Sequence, residues 1–368
     1  MIIMALDHVR DFTNSAAASF APEDLSRTTA AIFLTRWITH FCAPVFMFSA
    51  GLGAYFWKQH GHNNAALSRF LATRGLWLVV LEFTIMQFAL TFRADYALVI
   101  ANVLWALGAS MIALAVICWL PVSVISFLAL AMIGLHNLAD KVSNPSLLWA
   151  VLHRQAAFPF QGHALVIAYP LVPWIGVMAL GYCFGALMQL DADQRRQFLI
   201  RSGLAITAAF LLVRGLNVYG DPTPWTTQRS PLFTVLSFLN TAKYPPSLDF
   251  LLMTLGPAIL ALGLLDRVRL SASNPVVVFG RVPLFYYMGH FYLAHLLAFG
   301  LAYARYGMPG LLNPPAAIGG ARQPVPAYGF DLWVTYLVWI TVVVIMYPVC
   351  RWYAGVKQRR RDWWLSYL

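Results

Sequence analysis

Charge is scarce in this chain: Asp, Glu, Lys and Arg together make up 11% of 368 residues, where a soluble globular domain carries about 25%. So few charged side chains cannot build a water-facing surface, and an ordinary soluble enzyme is excluded. Acidic residues are scarcest, 14 against 25 Lys and Arg, for a formal net charge of +11. An excess of that size would suit nucleic acid if it lay on one continuous face. Here the basic residues form short clusters between apolar stretches, so no nucleic-acid partner is expected. Cysteine is rare too. Cys42, Cys118, Cys183 and Cys350 lie far apart in or beside apolar runs with no C-x-x-C, so neither a disulfide framework nor a zinc site is expected. Met1 leads straight into apolar residues with no basic region and no small-residue cleavage site, so no signal peptide is read and insertion rests on the helices themselves. Internal repeats and low-complexity tails are missing as well, which counts against the inverted halves of many secondary transporters.

What is present is apolar: 60% of the residues are hydrophobic. About 20 helical residues cross a ~30 Å hydrocarbon core. By that measure spans are expected near 29–57, 75–95, 97–119, 121–138, 164–188, 203–218, 248–265, 276–304 and 332–352. With the opening fragment they make about ten helices. The runs are continuous and lack the dyad alternation of a barrel wall, so the fold class is an all-α, polytopic transmembrane bundle, read as one integral-membrane domain over 1–368.

Lys and Arg are enriched in cytoplasmic connections. Lys58, Arg69 and Arg74, then Arg195, Arg196 and Arg201, then Arg267 and Arg269, then Lys357 and Arg359 to Arg361 fall on one side if the first terminus is cytoplasmic. The other side receives longer Pro-, Trp- and Tyr-rich connections at 219–247 and 305–330. Both termini are therefore expected in the cytoplasm.

Ionisable groups inside a bilayer cost at least ~2.5 kcal/mol and usually face the bundle interior. They cluster here. Asp7, Arg10 and Asp11 share a helix face, and His8 stands one step round, three residues from Asp11. A carboxylate that accepts one imidazole proton leaves the other nitrogen basic, as general-base catalysis requires; the competing reading is a salt-bridge cluster that ends the helix. Arg36 and His40 project from one face of the second helix, just before Pro44, Gly51 and Gly53, which allow close helix packing. Arg36 needs an anion, either Asp7 or Asp11 or a ligand phosphate. His290 and His295 are five apart, roughly 140° round a helix, which argues against a metal pair. Tyr286 and His290 share a face. His295 reads equally as a packing residue, Lys243 in "LNTAKYPPS" as a snorkelling lysine, and Glu82 has no obvious partner.

Six stretches in order, "MALDHVRDF", "TRWITHFCAPVFMFSAG", "VLWALGASMI", "YPLVPWIGVMALGYCFG", "SFLNTAKYPPSL" and "FGRVPLFYYMGHFYLAHLLA", give the chain its resemblance. It resembles the bacterial membrane proteins grouped with the heparan-α-glucosaminide N-acetyltransferase catalytic domain, across nearly its whole length. That resemblance implies an acyltransferase of the bacterial inner membrane, taking an acyl group, acetyl above all, from cytoplasmic acyl-CoA to a cell-envelope saccharide on the far side. No metal is implied, and a homo-oligomer is allowed. His8 is then the expected base, oriented by Asp7 or Asp11. Arg36 and Arg281 are expected at coenzyme A phosphates, and His40, Lys243, Tyr286 and His290 at the substrate. The wider superfamily carries an arginine eleven residues before its first-helix histidine; by the place of His8 in "ALDH", that arginine would fall before Met1. The six residues before Asp7 span ~9 Å at 1.5 Å each, so the first helix is expected to lack its amino-terminal half. The rival readings are a proton-coupled transporter or channel using the same groups as a relay, and a structural partner whose polar groups only lock helices.

Overall fold

A computed structural model describes residues 1–17, 19–308, 329–360, 362 and 365. Most of the 305–330 connection and Arg361 lie outside the described residues. Among the described residues eight helices are long and apolar enough to cross a membrane. A shorter apolar helix, Val103–Ile117, and the opening helix, Ile2–Thr13, accompany them, in agreement with the bundle of about ten. The chain divides into two compact units. The first comprises Met1–Cys42, Ile85–Ala94 and Arg269–Leu368, and the second Ala43–Thr84 and Asp95–Val268.

The first unit is built on α1 (Ile2–Thr13), which packs on α14 (Pro283–Tyr306), on α15 (Leu332–Arg359) and more lightly on α2 (Ala30–Trp37). Thr29 starts α2 by accepting from the Ile32 amide, the hydroxyl cap expected at a helix start. The apolar run at 276–304 is two helices, α13 (Pro275–Arg281) and α14, because Pro283 has no N–H to continue a helix and disfavours helical backbone at Val282. α1 is tied to α15 at both ends. Trp339 Nε1 donates to Ile2 O at 2.9 Å, and the Thr13 and Thr335 hydroxyls meet at 3.1 Å.

The second unit pairs helices closely: α4 (Asn64–Leu81) with α6 (Val103–Ile117), α7 (Val122–Leu135) with α9 (Val172–Phe184), and α10 (Ala192–Leu216) with α12 (Leu248–Leu265). Between α4 and α6, Gly75 and Gly108 face one another. A Cβ on either would lie within 2.5 Å of the other's carbonyl oxygen, so two backbones touch where lipid supplies no hydrophobic drive. The helix over 192–216 begins well before the run expected from 203, with the polar Asp193, Gln194 and Arg195 in its first turn.

The expectation of unbroken helix over 97–119 and 164–188 is corrected. Each run opens as a strand, β1 (Leu98–Ala101) and β3 (His163–Ile167), which pair in parallel, while β2 (Ala156–Phe160) pairs antiparallel to β3. Gln161 and Gly162, both with positive φ, close the β2–β3 hairpin. Asn102 and the Pro170/Pro173 pair separate the strands from the helices that follow.

Candidate active site

α1 carries Asp7, Arg10 and Asp11 into the interior of the first unit, and α2 brings Arg36 towards them. Arg10 Nη2 lies 3.1 Å from Asp7 Oδ1 and 2.5 Å from Asp11 Oδ1. Asp7 also pairs through its other oxygen with Arg36 Nη1. The Nε–H of Arg36 donates to Glu23 Oε1 at 2.8 Å, and His40 Nε2 stands 3.8 Å from the same oxygen. A single chain of charge thus runs from Asp11 through Arg10, Asp7, Arg36 and Glu23 to His40. Asp7, Arg10, Arg36 and His40 are all buried.

Glu23 is the member that sequence reasoning missed. It lies in the connection between α1 and α2, where a carboxylate reads as a solvated loop charge, and it is found only once the chain folds back on Arg36. Burial pushes its carboxyl up, but the Arg36 charge and hydrogen bond, with His40 close by, outweigh that and hold it well below the usual carboxylate range.

His8 occupies a different side of α1 and is half-buried. Its ring packs 4.0 Å from Phe291, 5.3 Å from His290 and 6.2 Å from Tyr287, between ring centroids. His290 is fully buried, and its Nδ1 pairs with the Tyr286 carbonyl at 2.8 Å. Because a carbonyl only accepts, Nδ1 carries the proton and Nε2 is left as the acceptor nitrogen. Tyr286 stacks on the His290 ring at 5.0 Å and meets Phe279, tilted by 57°, at 4.6 Å. His295 is sandwiched between Phe12 at 4.2 Å and Phe92 at 4.1 Å, with Nδ1 on the Ala89 carbonyl, the geometry of a packing residue.

Seven of the expected site residues therefore belong to one unit and one neighbourhood: Asp7, His8, Asp11, Arg36, His40, Tyr286 and His290. Arg281 is in the same unit, exposed at the end of α13. Lys243 belongs to the second unit, half-buried, with its ammonium 5.2 Å from the Tyr244 ring centroid. Glu82 has partners after all: its Oε2 accepts from the Leu104 and Trp105 amides at 2.7 and 3.1 Å, at the start of α6. Among the described residues no three of His, Cys, Asp and Glu converge as a metal-ligand set.

A polytopic helical bundle with eight candidate membrane spans among its described residues is the architecture of an integral membrane protein. Residues 16–220, more than half of the chain, match the family model described as heparan-alpha-glucosaminide N-acetyltransferase, catalytic. The chain belongs to that family, whose class of reaction is acyl transfer. Glu23, Arg36 and His40 fall inside the matched span, while all of α1 and all of α14 fall outside it. Comparison with curated proteins and with solved structures gave no match.

Proposed function

We propose that this protein moves an acetyl or similar acyl group from cytoplasmic acyl-CoA to a hydroxyl or amine of a cell-envelope saccharide, in a bacterial inner membrane with both termini cytoplasmic. The observation that carries the reading is the half-buried His8 on a helix clamped by the Asp7–Arg10–Arg36 ion pairs, in a chain of an acetyltransferase family. Rigid support of that kind is what a positioned base needs.

In this reading transfer is direct. His8 accepts the proton of the acceptor hydroxyl or amine as its oxygen or nitrogen attacks the thioester carbonyl; the carbon–sulfur bond then breaks and the coenzyme thiolate leaves with the proton that His8 gives up. The carboxylates Asp7 and Asp11 support His8 through the helix, since both are bound to guanidinium groups. Arg36 is engaged by Asp7 and Glu23, so the phosphate role rests on the exposed Arg281.

The test is thiol release from acetyl-CoA by the purified protein with a saccharide acceptor. Release that disappears in His8→Ala supports the reading. Proton-coupled uptake into vesicles with no thiol release would replace it with the transporter.

A further inference from the structure

The second unit holds a polar cluster that the chemistry at His8 does not use. His136 follows the end of α7, in the tight helical turn His136–Ala139, and His153 closes the short helix Leu147–Leu152. The two rings lie 5.7 Å apart between centroids. His153 Nε2 meets Asp140 Oδ1 at 2.9 Å, and the other carboxylate oxygen accepts from Asn137 Nδ2 at 2.8 Å. Asn137 is itself held, because its Oδ1 accepts from the Leu248 amide at the start of α12. An acid–histidine pair is thus fixed beside a second histidine, and that second histidine is unfinished. His136 is 6% exposed, and neither of its ring nitrogens meets a partner among the described residues. A buried imidazole with both nitrogens unmatched carries the full cost of its lost hydration.

The donors and acceptors of the cluster select its ligand. A neutral imidazole offers one N–H and one lone pair, so His136 calls for a group that both accepts and donates. The Asp140 carboxylate only accepts, so His153 Nε2 carries the proton and Nδ1 is its acceptor nitrogen. Asp140 pairs with no Lys or Arg among the described residues, and an anion beside it would add a second uncompensated charge. An ammonium would leave the His136 N–H unmatched. A neutral hydroxyl meets both demands, and at about 2.8 Å per hydrogen bond one hydroxyl, or two on adjacent carbons, reaches both rings. The cluster opens at Asp140, whose side chain is 18% exposed against 6% for His153.

Position narrows the source. Arg195, near the start of α10, pairs with Asp266, just past the end of α12, at 2.9 Å. Leu248, which Asn137 holds, stands at the other end of α12, ~27 Å away along its 18 residues. The cluster therefore lies away from the basic connections at Arg195, Arg196, Arg267 and Arg269, on the far side of the membrane in the acyltransferase reading. We infer that His136 and the Asp140–His153 pair form a binding site for hydroxyl groups of a neutral saccharide on that side. The choice of a saccharide rests on the acyltransferase reading; the hydroxyl chemistry rests on the cluster.

The experiment titrates the full chain, purified in detergent, with glucose, glucosamine and inorganic phosphate, and reads bound ligand by NMR. Glucose is expected to bind saturably and ahead of phosphate, and His136→Phe, which fills the space without a polar atom, to weaken it about tenfold. His136→Gln keeps a donor and an acceptor and retains more of the affinity. Asp140→Asn tests the pair at constant size. Asn137 Nδ2 holds the remaining oxygen, so the new amide N–H faces His153 Nε2 and drives the imidazole proton to Nδ1, and glucose binding weakens. Glucose binding that these variants leave intact, or none in wild type, as with a histidine that holds water alone, overturns the site. Phosphate bound in preference, or glucosamine bound about tenfold tighter than glucose, overturns the ligand class. Should His136→Phe not fold, Asp140→Asn decides by the same criterion. Thiol release from acetyl-CoA separates the two readings. Glucose binding lost in His136→Phe, with no thiol release from wild type, overturns the acyltransferase reading and leaves the site standing; thiol release with glucose binding unchanged in the variants overturns the site alone.

Discussion

The Nε–H of Arg36 donates to Glu23 Oε1 at 2.8 Å, which fastens the connection after α1 to the helix that faces it. With Glu23→Gln the charge is lost but the shape is kept, and the buried Arg36 loses one of its anions while keeping Asp7. Stability at neutral pH falls by about 2 kcal/mol, the worth of a hydrogen bond to a charged group. The pH dependence has a definite sign. The Glu23 carboxyl is held below its ordinary value in the folded protein, so its contribution is full above the unfolded value of about 4.3 and is lost as pH falls through the folded value. Melting curves of wild type and variant stay apart from pH 8 to pH 5 and converge only in stronger acid. A gap that stayed constant into acid would contradict the ion pair.

Glu82 caps a helix from another element. Asn102 stands at the N-cap of α6 but makes no side-chain cap hydrogen bond, and Glu82 Oε2 takes the Leu104 and Trp105 amides in its place. Glu82→Ala strands two amides in an apolar interior and lowers stability by about 2 to 4 kcal/mol. Glu82→Gln keeps an oxygen for them and loses less. Melting temperatures in the order wild type, Gln, Ala check this; equal values for Gln and Ala would remove the cap from the account.

These two carboxylates also mark the limit of what could be read before the structure. The helices were legible because long apolar runs leave a membrane chain few alternatives, although the run expected from 75 lies in a helix that already begins at Asn64. The strands at 98–101 and 163–167 were not, because their apolar residues merge with the helical run behind them and no periodicity separates the two. The grouping of Asp7, Arg10 and Asp11 followed from helical spacing. The partners of Glu23 and Glu82, 13 and 22 positions away, are set by tertiary packing that spacing does not encode.

Arg214 organises the 217–247 connection of the second unit. Buried at the end of α10, it donates to the carbonyls of Phe238, Thr223, Ser237 and Asn240 at 2.8–3.1 Å, with Asp249 at 3.6 Å and Asp221 at 3.8 Å. A lysine cannot span four acceptors from one nitrogen. Arg214→Lys therefore costs about 3 kcal/mol and loosens the connection first, seen as faster limited proteolysis between Tyr219 and Ser247. Cleavage at the wild-type rate would show that the carbonyl cage does not hold this segment.

Gly51 and Gly53 both read as small residues for close packing, and the structure separates them. A Cβ on Gly51 would lie 1.9 Å from the Met178 carbonyl oxygen and 2.7 Å from the Tyr182 nitrogen, so the helix Cys42–Gln59 touches the backbone of α9 there. Neither obstacle is a side-chain tip that could swing aside, and relief requires the two helices to part. A Cβ on Gly53 would meet nothing within 4 Å. Gly51→Ala is thus expected to destabilise by about 3 kcal/mol or more, at the upper end of overpacking costs. Gly53→Ala is expected to be neutral or to stabilise by up to about 1 kcal/mol, because alanine has less backbone freedom to lose in a helix. The pair shares chemistry, helix and neighbourhood, so propensity alone predicts the same small gain at both. Opposite shifts in melting temperature, down for Gly51→Ala and level or up for Gly53→Ala, are the signature of backbone contact between these helices; a matching gain at both would mean that they do not touch.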